Sequence, residues 1–75
     1  MLNLYLLTQN KNTGWDTYLG FVIAAKSELQ AKEMSIKESG GAGMWVSNLQ
    51  DIKCKYIGEY KYKTPKVILE SFNAG

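Results

Sequence analysis

The chain has no histidine and no arginine, a single cysteine (Cys54) and a single proline (Pro65). Without histidine, neither a Ser-His-Asp nor a Cys-His nucleophile can be assembled. The same absence, with only one cysteine, removes the usual zinc ligand sets and any internal disulfide. All nine basic residues are lysine. The rigid fork that reads guanine edges and phosphates bidentately is therefore missing, which argues against sequence-specific DNA recognition. No apolar run approaches the roughly 18 residues that span a bilayer. The opening Met1-Leu2-Asn3-Leu4 lacks the basic region and small-residue cleavage site of a signal peptide. A cytoplasmic location without membrane contact is expected, and an unpaired thiol suits a reducing compartment. Gly40-Gly41-Ala42-Gly43 is glycine-rich but lacks the Lys-Ser/Thr that completes a phosphate-cradling loop, and no dinucleotide fingerprint occurs. The seven carboxylates form no close acidic pair along the chain. These exclusions favour a protein that is not an enzyme and carries no metal or cofactor.

What is present fits one small domain. Seventy-five residues, 45% of them apolar and 21% charged, are too apolar for a disordered chain. A domain this size buries only about 60% of its unfolded surface, so its core is marginal without staples. With disulfide and metal removed, association into a homo-oligomer is the expected remedy. The net charge of +2 is unevenly spread: residues 53–66 hold Lys53, Lys55, Lys61, Lys63 and Lys66 against Glu59 alone, leaving the rest of the chain negative.

Residues 2–9 are apolar on both sides, with Leu2, Leu4 and Leu6 on one and Tyr5 and Leu7 on the other. That is the pattern of a central strand buried on both faces. Turn chemistry over 10–16 leads to a second strand over 17–25. Ser27-Glu28-Leu29-Gln30 is a capping box, predicting a helix over 28–37 with Ala31, Met34 and Ser35 toward the sheet. Ser39-Gly40-Gly41 ends it. A third strand over 52–62 alternates Ile52, Cys54 and Tyr56 with Lys53 and Lys55, with Gly58 marking a bulge, and a last strand covers 67–72. The expected fold is α+β: a ββαββ antiparallel sheet with one helix on a face.

Four features are candidates for function. The loop Asn12-Thr13-Gly14-Trp15-Asp16-Thr17-Tyr18 sets an indole, a phenol and a carboxylate close together. Trp15 and Tyr18 there suit stacking on a flat ring, with Asn12 and Asp16 at its polar edge. The bland reading is a hairpin loop with Trp15 folded back on the core. Lys53 and Lys55, continued by Lys61 and Lys63 among Tyr56, Tyr60 and Tyr62, suit phosphates and stacked bases, or equally a solvated edge guarded by lysine. Trp45 after the glycines is either an aromatic latch or a core residue. Ser71 and Asn73, flanking Phe72, either line a pocket or fray. Cys54 is read as an apolar filler.

The chain resembles a family of short proteins encoded by phages and prophages. The resemblance rests on Tyr5-Leu6-Leu7-Thr8-Gln9 with the loop to Tyr18, on Ala24-Ala25-Lys26-Ser27-Glu28, on Tyr56-Ile57-Gly58-Glu59, and on Val67-Ile68-Leu69-Glu70-Ser71-Phe72-Asn73-Ala74-Gly75. Trp15 stands where the pattern has tyrosine, and the lysine-rich stretch after Gly58 also departs from it. The resemblance implies a viral setting and action against host defence. Within that setting the leading expectation is sequestration of a nucleotide-type signalling molecule. The alternative is a protein-directed inhibitor that blocks a host defence protein, and a third reading is weak binding of single-stranded nucleic acid through residues 53–66.

Overall fold

The computed structural model describes residues 1–10, 17–39, 45–46 and 48–73, with the backbone alone at 17, 72 and 73. Four strands, β1 (Leu2–Thr8), β2 (Thr17–Ala25), β3 (Lys53–Tyr60) and β4 (Lys66–Asn73), form one antiparallel sheet in the order β3-β1-β2-β4. Among the described residues one helix, α1 (Glu28–Ser39), packs on β2 and β1, and one 3-10 turn, η1 (Leu49–Asp51), precedes β3. The α+β expectation holds, and β1 is central as its sequence suggested.

Helix α1 starts where the capping residues dictate. The Gln30 N–H donates to Ser27 Oγ at 3.2 Å. The reciprocal bond is displaced by one residue: Gln30 Oε1 accepts from the Lys26 N–H at 2.6 Å, not from that of Ser27. The helix also runs two residues beyond the expected end, to Ser39. Its buried residues Ala31, Ser35 and Ser39 recur every fourth position, a stripe of small side chains that lets the helix lie close to the sheet.

The core lies between α1 and one face of the sheet. Tyr5, Leu7, Phe21, Ile23 and Ala25 meet Ala31, Trp45, Val46 and Ile52 there. Trp45 is fully buried, edge-on to Phe21 with ring centroids 4.9 Å apart. Its indole N–H donates to Ser35 Oγ at 2.9 Å, and the Ser35 hydroxyl donates to the Lys32 carbonyl at 2.7 Å. A polar atom deep in an apolar cluster is thus fully partnered.

Three bulges set which side chains reach that core. The register skips Leu19 in β2, Ile57 in β3 and Ile68 in β4. Each skip reverses the two-residue alternation beyond it. Tyr18 and Phe21, three residues apart, therefore share the core side and stack with centroids 5.1 Å apart. The bulge in β3 falls at Ile57, one residue before Gly58, and Ile57 itself is about half exposed.

Candidate binding surface

Only one face of the sheet is covered by the helix. Cross-strand partners trace the rows of the other face: Lys53, Thr8, Gly20 and Ser71; then Lys55, Leu6, Val22 and Leu69; then Gly58, Leu4, Ala24 and Lys66; then Tyr60 and Leu2. None of these residues belongs to the core cluster. Leu2 and Ala24 are buried and Leu4 and Val22 half-buried, whereas Leu6 and Leu69 are exposed by 37% and 63%. The two-sided burial expected of β1 holds at Leu2, is partial at Leu4 and fails at Leu6. A single helix can cover one side, so Leu4 and Leu6 sit on the side it leaves open.

Lys53 and Lys55 lie on edge strand β3, exposed on this open face. Ser71 is exposed at the opposite edge, in the same row as Lys53. Three inter-strand spacings separate the two edges, about 14 Å, so these residues form rims and not one pocket. Residues 61–65 must cross that same distance to link β3 to β4 past the ends of β1 and β2, and so they form a strap instead of a tight hairpin turn. The expected third strand to Tyr62 accordingly stops at Tyr60.

The strap carries the basic aromatic feature. Tyr62 is 58% exposed, its ring centroid is 5.2 Å from that of Tyr60 at an interplanar angle of 61°, and Lys61 Nζ lies 5.4 Å from the Tyr62 centroid. That spacing is within the range of a cation–π contact, worth about 0.5–1 kcal/mol at an exposed site. Lys61 and Lys63 are both exposed. Tyr56 sits on the helix side but is 53% exposed, edge-on to Tyr5. Chemically, the strap offers a flat ring beside ammonium groups.

The remaining candidates fall elsewhere. Asn12, Trp15 and Asp16 lie outside the described residues. Tyr18 packs against the core beside Phe21. Trp45 is removed from the binding set, because a fully buried indole has no surface to offer a ligand. Asn73 pairs through its backbone with Thr17 at the end of β4. Cys54 is half-buried with its thiol pKa raised, mainly by burial and then by the Glu28 carboxylate, against a smaller opposing effect of Lys32. A raised pKa keeps the thiol protonated and poorly nucleophilic, in keeping with an apolar filler.

An open groove of about 710 Å³ runs between edge strand β4 and α1, lined by Met34, Lys37 and Glu38 of the helix and by residues 66–70. Among the described residues no cluster of three potential metal ligands occurs, and no helix is long and apolar enough to cross a membrane. Sequence reasoning missed the open-face stripe of Leu4, Leu6, Val22 and Leu69. Its signal was the two-sided apolar pattern of residues 2–7. Comparison with family models, curated proteins and solved structures gives no match.

Proposed function

We propose that this chain is a non-enzymatic binding protein that sequesters a nucleotide-type molecule, acting against host defence in the phage setting that its sequence resemblance implies. The observation that carries the reading is the Tyr60–Lys61–Tyr62 arrangement, an exposed ring with an ammonium 5.4 Å from its centroid. Aromatic faces hold bases by stacking, and lysines hold phosphates as point charges. Lys63 on the strap adds a further ammonium group for the phosphates. A second copy of the chain would close the site, since the strap is open to solvent on this subunit.

The test is a thermal-shift panel of mononucleotides, cyclic mono- and oligonucleotides and NAD-derived signals. A ligand at 100 times its dissociation constant adds about 2.7 kcal/mol to native-state stability. For a domain of this size that is a shift on the order of 10 °C. The reading requires a selective shift that Tyr62→Ala and Lys61→Ala abolish. A flat panel overturns it. Binding of single strands with steep salt dependence and no preference among mononucleotides replaces sequestration with backbone binding.

The protein-directed reading is favoured by a different observation, the apolar open face of the sheet, and involves different residues.

A further inference from the structure

We infer that the helix-free face of the sheet is a docking surface for a protein whose contacting patch is apolar at its centre and acidic at its rim. This inference does not depend on nucleotide binding at the strap.

Leu4, Leu6, Val22 and Leu69 form a continuous aliphatic stripe across β1, β2 and β4, side by side in adjoining rows of the ladder. Leu69, the residue nearest one edge, is the most exposed of them at 63%. A strand with apolar residues on both faces is the pattern of a sheet covered on both sides. Among the described residues α1 covers one side, and on the other Leu6 and Leu69 remain exposed. Exposed contiguous apolar surface of this kind marks an interaction site more often than an ordinary solvated face.

Charge narrows the partner. The cross-strand rows put Lys53 and Lys55 along one border of the stripe and Lys66 at the other. The same rows assign no carboxylate to this face: Glu59 pairs with Asn3 and Glu70 with Phe21, both on the side that carries the helix. An apolar centre framed by like charges complements a patch framed by carboxylates. A second copy docked face to face brings six lysines together with no acid to offset them, so self-association through this face is disfavoured. A bilayer is a poorer fit for a different reason. Leu4 and Val22 are half-buried, and the face is a sheet and not an amphipathic helix that lays a wide apolar side into the acyl layer.

Four strands at about 4.8 Å spacing and seven to nine residues at about 3.3 Å give roughly 19 by 26 Å, or about 500 Å² in projection. Leu2 and Ala24 are buried within it, so the contact offered is of the small, transient class.

The experiment uses the intact chain, labelled with nitrogen-15, and two synthetic amphipathic helices with the same leucine face, one bordered by glutamate and one by lysine. The expected result is that the glutamate peptide shifts the amide signals of Leu4, Leu6, Val22 and Leu69 and binds at least tenfold more tightly than the lysine peptide. Leu69→Glu and Lys66→Glu each weaken that binding at least tenfold while Tm stays unchanged and the Tyr62 signals do not move. Equal binding of both peptides overturns the charge argument. Shifts confined to other residues, or no shifts, overturn the docking face. Co-sedimentation with phosphatidylglycerol vesicles that Leu69→Glu abolishes, with the peptides inert, replaces the protein partner with a lipid surface. Concentration-dependent dimerisation that Leu69→Glu abolishes replaces it with a second copy.

Discussion

Gly20 is the position where one methyl group decides most. A Cβ built there comes within 2.9 Å of the Leu7 carbonyl oxygen, a backbone atom with little freedom to yield, whereas at Gly58 the same atom meets nothing within 4 Å. Gly20→Ala is expected to destabilise the chain by about 1–3 kcal/mol, as overpacking does. Gly58→Ala is expected to stay within about 0.5 kcal/mol. Urea titration of the two variants checks the contrast, and equal effects would contradict it. Ser35 is the polar counterpart. Ser35→Ala leaves the Trp45 indole N–H buried without its acceptor, an expected loss of about 1–3 kcal/mol, or several degrees in Tm. Cys54 gives a pH dependence. Its pKa is raised in the fold above its ordinary 9.0, so the native state keeps a proton that the unfolded chain releases. That contribution to stability is complete below pH 9 and is lost as pH rises through the folded pKa. The stability difference between the native chain and Cys54→Ser is expected to shrink in that window, and a difference that grows would contradict the assignment.

Among the elements, α1 buries small side chains, Ala31 and two serines, with Met34 and Ile36 partly buried against the core, and its start is fixed by its cap. Ser27→Ala removes the acceptor for the Gln30 N–H and is expected to cost about 1 kcal/mol, read as a fall of several degrees in Tm. This helix was also the most legible element in the sequence, because a capping box is a local signal that tertiary contacts seldom override. The strands were legible in place and order of appearance, but not in which face they present. Tyr18, Tyr60 and Leu69 each change face relative to simple alternation because a bulged residue intervenes, at Leu19, Ile57 and Ile68. A bulge is decided between two strands, so one strand's sequence carries little trace of it; Gly58 hinted at one, a residue away from where it falls. Strand order was hidden for a related reason. The wide separation of β3 and β4 depends on both pairing outward from β1 and β2, a choice of neighbours that local patterning does not express. Trp45 shows the same limit for sites, since an indole after a glycine run reads alike as latch or core until Phe21 and Ser35 are seen around it.

At the scale of the molecule, the described residues form one side packed under the helix and one side that the helix leaves uncovered. The helix, Trp45 and the buried serines complete the first. The second carries the aliphatic stripe and its lysine borders, and the strap with Lys61 and Tyr62 runs past one end of the sheet. The strap is where an exposed ring and positive charge meet, and it is the feature on which the proposed binding rests. The most direct measurement is an amide-resolved NMR titration of the intact chain with cyclic and linear nucleotides at moderate salt. Sequestration predicts saturable shifts at Tyr60, Lys61, Tyr62 and Lys63 for one nucleotide class, lost in Tyr62→Ala. Unmoved strap signals across the whole panel would contradict it.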